Sequence, residues 1–279
     1  MLGSDIIGFH TQLHSNNFIN TVGKELEALI DLDQFTVTKN NHSTTVKPFP
    51  ISIAFSKTPH DKSQEEQSKK ALEKIGVKTE YVGIGVDRLD YTKGILERIH
   101  AIEIFLTKYP AYINKFTFIQ VSAPSRTDIA DYQEFTAKVE SEIDRINEKF
   151  EKDDWKPILF LHKHHSHEEI YPLYRAANIC LVTSLHDGMN LVAKEFVAAR
   201  DDEKGVLILS QFTGAAKELR DALIINPYNG EQTGEAIHTA LTMKKSEQTK
   251  RMKRMRDIIK SYNIYRWSAE LLKTMVELG

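Results

Sequence analysis

A single cysteine, Cys180, is the only thiol in this chain of 279 residues. One thiol closes no internal disulfide and makes no zinc site of the Cys-x-x-Cys kind, so a reducing, cytoplasmic setting is expected. Long apolar runs are missing as well. None approaches the ~20 residues of a membrane-spanning helix, and a soluble protein is expected. Residues 1–11 have no basic stretch leading into an apolar one, so no signal peptide is read there. An excess of one charge is also absent: 37 basic residues face 39 acidic ones, for a formal net charge of -2. That balance offers no broad field for nucleic acid or an anionic membrane. It still leaves room for a local basic site that binds phosphate. No internal repeat and no low-complexity segment interrupts an ordinary globular composition.

What is present, from about Glu80 onward, is alternation. Short aliphatic runs at 81–86, 116–121, 158–162, 179–183, 206–210 and 223–226 show no polar alternation, as strands buried on both faces do. Between them lie segments of helical period. The clearest spans 129–150, where Tyr132, Phe135, Val139, Ile143 and Ile146 form one apolar stripe. Strand and helix in turn predict an α/β fold with a doubly wound parallel sheet. Ligands of such sheets sit beyond the carboxyl ends of the strands.

The first fifty residues differ. They predict a strand at 6–11, a helix at 16–30 carrying Phe18, Val22, Leu26 and Leu29, and irregular strands over 35–53. This is too little for an independent core. Residues 56–68 read as a polar hinge entering a helix that runs to Ile75. Near the C-terminus, 244–260 is basic but carries Met252, Met255 and Ile259 at helical spacing. A solvated helix face over a buried stripe is the expected reading.

The candidate chemistry follows the strands. After the run at 81–86 come Asp87, Arg88, Leu89, Asp90, Tyr91, Thr92, Lys93 and Gly94, then a helix. Two cations five apart at a helix start suit a diphosphate; by spacing alone they read equally as surface cations. After 116–121, Arg126 and Asp128 precede a helix, where a structural arginine and an N-cap are the plain readings. After 179–183, His186, Asp187, Gly188, Met189 and Asn190 open a helix that carries Leu191, Val192 and Glu195. Asp187 and Glu195 lie slightly over two turns apart, so both can face one cleft and accept hydrogen bonds from sugar hydroxyls. An N-cap aspartate with an unrelated helix glutamate fits that spacing too.

The strings VDRLDYTKG, APSRTD, SLHDGMNLVAKEFVA and GVLILSQFTGAAKEL, in this order, resemble the trehalose-6-phosphate synthase family, and the likeness runs from IGFHT at Ile7 to the C-terminal helix. The resemblance implies a retaining glycosyltransferase of the GT-B type, with two Rossmann-like domains. Residues 1–52 would be the end of the acceptor-side domain, 53–262 the nucleotide-sugar-binding domain and 263–279 a C-terminal helix. It implies transfer of glucose from UDP-glucose, or GDP- or ADP-glucose, to glucose 6-phosphate. Arg88, Lys93 and Asp187 form the implied catalytic set. The donor is held by Arg88, Lys93, Asp187, Gly188, Met189, Asn190, Leu191, Val192 and Glu195, and Arg126 reaches the acceptor phosphate. Many relatives have Arg where this chain has His186. A sister activity, glucosylglycerol-phosphate synthesis, and a non-catalytic sugar-phosphate-sensing subunit are the alternatives.

The resemblance covers roughly the C-terminal three-fifths of the synthase unit. The chain alone is therefore expected to bind nucleotide with little or no transfer, and to pair with itself or with a complementing N-terminal half. No cofactor is expected. The run His162, Lys163, His164, His165, Ser166, His167 looks like a metal site, but none is expected, since Arg and Lys already neutralise a departing diphosphate.

Overall fold

The computed structural model describes residues 1–55, 62–125 and 129–278. Backbone contacts divide the chain into two units, one of Met1–Phe55 with Ile259–Gly279 and one of Ser56–Ile258. The first contains β1 (Ile6–Phe9), α1 (Gln12–Glu25), β2 (Leu29–Asp31), β3 (Thr36–Lys39) and β4 (His42–Pro48). Its sheet has the order β1-β4-β3-β2, with β1 parallel to β4 and the remaining pairs antiparallel.

Here the sequence expectation needs correcting. The helix begins four residues earlier than the pattern suggests, because Thr11 caps it by accepting from the His14 N–H (3.3 Å). That cap also ends the first strand at Phe9 rather than Thr11. The helix stops at Glu25, where Leu26 turns to extended backbone. Leu29, read as part of the helical stripe, instead opens an edge strand and is exposed. The segment expected to be irregular forms a regular hairpin of β3 and β4. Ile19, Val22, Val37 and Val46 make a small buried core, with Phe9, Phe18, Ile30 and Phe35 packed on it.

The second unit holds α2 (Lys62–Lys74), β5 (Tyr81–Arg88), α3 (Ile95–Lys108), β6 (Phe116–Ala123), α4 (Ala130–Phe150), β7 (Ile158–Leu161), α5 (His167–Ala176) and β8 (Ile179–Val182). It continues with α6 (Leu191–Ala199), β9 (Val206–Ser210), β10 (Leu223–Ile225), α7 (Gly230–Thr242) and α8 (Lys245–Ser261), the last three residues of which fall in the first unit. Every expected strand is present. The first runs two residues further than its apolar stretch, so Asp87 and Arg88 belong to β5 and pair with Ser122 and Ala123 of β6. All six strands are parallel, in the order β10-β9-β8-β5-β6-β7.

That order decides where a ligand can sit. From β5 the chain winds outward to β6 and β7, then returns to β8 and winds the other way. The direction reverses between β5 and β8, and the helices that follow these two strands diverge to leave a crevice at their carboxyl ends.

Periodicity explains the helices. On α4, Tyr132, Val139, Ile143 and Ile146 are buried and Phe135 packs against the same core. Asn147, also buried, uses its amide to hold β7, donating to the Ile158 carbonyl and accepting from its N–H (2.9 and 3.0 Å). Glu103 of α3 accepts from Arg145 and Lys149 of α4 (2.6 and 2.7 Å), tying the two helices outside the core. The basic helix α8 buries Met252, Met255 and Ile259, as the stripe reading requires. The final helix, α9 (Ile264–Leu278), joins the first unit: the Ile264 N–H donates to the Ile53 carbonyl and the Trp267 indole to that of Phe49. Among the described residues no helix is long and apolar enough to cross a membrane.

Candidate active site

Two loops meet at the crevice between β5 and β8. The first follows Arg88. Asp90 accepts from the Thr92 N–H and hydroxyl (2.9 and 2.7 Å), which folds residues 91–93 into one turn of 3₁₀-helix. Partial burial works to raise the Asp90 carboxyl, but these bonds, with Lys93 and Arg88 nearby, bring it below its ordinary pKa. The turn ends at Gly94, in left-handed conformation (φ 63°, ψ 38°). A side chain there would also run into the Thr183 carbonyl, so the β5 loop approaches β8 this closely only because residue 94 is glycine.

The second loop follows β8. The Asp187 N–H donates to the Phe212 carbonyl, while the Gly214 and Ala215 N–H groups donate to the carbonyls of Asp187 and Met189 (3.1, 3.1 and 2.7 Å). Gly214 is required in turn, since a Cβ there would strike the Gly188 carbonyl. Asn190, at positive φ (78°), caps α6 by accepting from the Ala193 N–H (3.0 Å). The N–H groups of Leu191 and Val192 lie in the first turn beyond the cap, where helix geometry leaves them without partners in the helix. Met189 turns its side chain into the core.

The loops touch through charge. Lys93 Nζ donates to Asp187 Oδ2 (2.7 Å), and the Asn190 amide donates to the same oxygen (3.1 Å). The Met189 N–H donates to Asp187 Oδ1 (3.3 Å). The structure thus brings Lys93, Asp187 and Asn190 into direct contact. Arg88 ends the adjoining strand, exposed and without an ion pair among the described residues.

Glu195 lies further along α6 and accepts from the Tyr174 hydroxyl (3.4 Å). Burial raises its carboxyl above the ordinary range; His167 and the Tyr174 bond oppose that. Arg126 and Asp128, expected on the acceptor side and at a helix cap, lie outside the described residues. His186 is exposed beside Asp187.

The histidine run is dispersed. His162 faces Glu140 (3.1 Å), and His165 bonds the Lys163 carbonyl (3.0 Å). Ser166 caps α5 in a reciprocal box with Glu169. His167 belongs to the surroundings of Glu195, a role that a metal-site reading hides. Among the described residues no group of three or more His, Cys, Asp or Glu is arranged to hold a metal.

Sequence reasoning missed the polar centre beneath the site. Arg98 is wholly buried and bonds Asp87, Gln120 and Thr183. The signal was available: Arg98 falls in the apolar stripe Ile95, Ile99, Ile102, and Gln120 interrupts the apolar run from Phe118 to Val121 of a buried strand. Lys194 was missed similarly. Buried on α6, it donates to Glu218 Oε2 (2.9 Å), and burial lowers its pKa.

The sequence pattern of glycosyltransferase family 20 matches residues 1–277. The chain is 38% identical over 280 residues to the UDP-forming alpha,alpha-trehalose-phosphate synthase of Pichia angusta, covering 100% of this chain and 58% of that one. Among solved structures it resembles the Escherichia coli trehalose-6-phosphate protein bound with UDP-2-fluoro glucose (TM-score 0.87, 34% identity, 97% of this chain and 60% of that one). A Burkholderia xenovorans alpha,alpha-trehalose-phosphate synthase in complex with glucose-6-phosphate is nearly as similar (TM-score 0.86, 33% identity, 97% and 60%). The fold is therefore α/β of the GT-B type found in these synthases. The chain spans about three-fifths of the length of these relatives.

Proposed function

We propose that this chain, which belongs to glycosyltransferase family 20, binds UDP-glucose at the β5–β8 crevice and serves the transfer of its glucose to glucose 6-phosphate. The observation that carries this reading is the Lys93–Asp187 contact at the switch point, beside the first turn of α6. A diphosphate placed there meets the cations Lys93 and Arg88 and the N–H groups of Leu191 and Val192. Asp187, with the backbone of Gly188, Met189 and Asn190, takes the glucose hydroxyls, and Glu195 takes those of the ribose. Arg126 contributes to the acceptor phosphate. Residues 1–52 belong to the acceptor-side domain.

Transfer proceeds with retention. The bond from the anomeric carbon to the β-phosphate oxygen breaks, and charge growing on the diphosphate is stabilised by Arg88 and Lys93. The acceptor's anomeric hydroxyl forms the new bond on the same face and gives its proton to the departing phosphate oxygen. No protein nucleophile is required. The lone thiol Cys180, fully buried and unpaired, supports a cytoplasmic location.

The test is to incubate the purified chain with UDP-glucose and glucose 6-phosphate and follow UDP and trehalose 6-phosphate by mass spectrometry. Formation of both in equal amounts supports the reading in full. Nucleotide binding with little or no product, as expected of a chain that spans about three-fifths of its relatives, supports the donor site, and absence of both binding and product refutes the reading.

A further inference from the structure

Below the Lys93–Asp187 contact lies an ion pair for which the transfer chemistry has no direct use. Arg98, in the first turns of α3, is wholly buried. Its Nη1 donates to Asp87 Oδ2 (2.6 Å) and to Gln120 Oε1 (2.8 Å), and its Nε donates to Thr183 Oγ1 (3.0 Å). One guanidinium therefore ties together the carboxyl end of β5, the middle of β6 and the residue that follows β8. The Thr183 hydroxyl passes the connection upward by donating to the Gly94 carbonyl (2.8 Å), which also accepts from the Arg98 N–H (3.1 Å). Gly94 is the residue that follows Lys93.

Stability is a poor explanation for this arrangement. Replacing a buried ion pair with apolar side chains is often neutral or stabilising. Arg98 Nη2 is buried with no hydrogen-bond partner among the described residues, which an apolar side chain would avoid. The sheet also gives up a side chain to make room: a Cβ at Gly85 would stand 2.5 Å from Arg98 Nη1. Buried polar centres of this kind are best attested where they fix one geometry among several. The geometry fixed here is that of the turn presenting Lys93.

We propose that Arg98, acting through Thr183 and Gly94, is a positioning residue that holds the Lys93 ammonium where the diphosphate of the donor arrives. The proposal rests on the reading that Lys93 binds that diphosphate. A turn already ordered needs no reorganisation when the anion enters, and this gives Lys93 its affinity.

Thr183→Val tests the connection, because it keeps the bulk of the side chain and deletes only the hydroxyl between Arg98 and Gly94. UDP is titrated calorimetrically into the wild-type chain, Thr183→Val, Lys93→Ala and the double variant. Stoichiometry reports the folded fraction, and Kd reports the geometry of the folded site. Thr183→Val is expected to weaken UDP about fivefold at unchanged stoichiometry, and to have no further effect once Lys93 is gone. Thr183→Ser, which restores the hydroxyl, should recover wild-type affinity. A lowered melting temperature with unchanged Kd would assign the network to stability alone and overturn the proposal, as would equal losses on both backgrounds. Should the wild-type chain bind no UDP, the donor reading fails separately. The inference is then read from the ¹⁵N signal of Lys93 Nζ, which Thr183→Val must shift; an unmoved signal would overturn it.

Discussion

Replacing Asp187 by asparagine should move the affinities for UDP and UDP-glucose in opposite directions. Asp187 holds Lys93 at 2.7 Å, with side-chain exposures of 14% and 17%. On the proposed reading Asp187 competes with the diphosphate for the same ammonium. Two unit charges at about 4 Å attract by roughly 4 kcal/mol at an effective dielectric near 20. Partial exposure and screening leave a quarter of that, about 1 kcal/mol. Asp187→Asn releases Lys93 and removes a negative charge from beside the phosphates, while its remaining carbonyl oxygen can still accept from the Met189 N–H. UDP should therefore bind about threefold to fivefold tighter. UDP-glucose gains the same but loses charge-assisted bonds to its sugar hydroxyls, worth about 1.5–3 kcal/mol. It should bind about twofold to thirtyfold weaker. Calorimetric titration of both ligands into both proteins measures the four constants. Equal weakening of UDP and UDP-glucose would refute the reasoning, since Asp187 would then neither compete for Lys93 nor read the sugar.

Glu195→Gln should weaken UDP about tenfold at neutral pH, and wild-type affinity should fall as pH drops through the raised pKa of Glu195, a dependence that titrations across pH should find lost in the variant. Because folding raises that pKa, ionised Glu195 disfavours the fold. The variant should accordingly melt higher at neutral pH, and the gain should disappear below the unfolded-state pKa of Glu195. Glu103 is the opposite case: hydrogen bonds from Arg145 and Lys149 lower its pKa from 4.5 to about 2. Its stabilisation is full above the unfolded value and lost as pH falls toward about 2, so Glu103→Gln should cost up to about 1 kcal/mol in urea titrations at pH 7 and progressively less below pH 4.5. Gly94→Ala forces a Cβ into left-handed backbone and onto the Thr183 carbonyl. It should cost more than about 1–2 kcal/mol in the same assay and largely abolish UDP binding in the molecules that remain folded.

The parallel sheet was legible because strands buried on both faces leave unbroken aliphatic runs, and all six runs became strands. The extension of β5 through Asp87 and Arg88 was not, because those charges break the run while the backbone pairing with Ser122 and Ala123 continues. At the N-terminus, Leu26 and Leu29 have helical spacing, yet the backbone leaves the helix at Leu26; spacing does not record where a chain turns. The contact between Lys93 and Asp187 joins residues 94 positions apart, so motif reading could name both and could not pair them. Arg98 escaped because a cation in a helix is ordinarily solvated, and only its place in the apolar stripe betrayed it.

A nucleoside-diphosphate site built on Lys93 in the crevice between β5 and β8 must bind UDP through that ammonium. Calorimetric titration of UDP into the wild-type chain and into Lys93→Ala measures this, with circular dichroism to confirm that both are folded. A charge-assisted contact is worth about 1.5–3 kcal/mol. Saturable binding at one site per chain and a loss of about tenfold or more in the variant are expected. No binding by the folded wild-type chain, or the same dissociation constant in both proteins, would contradict it.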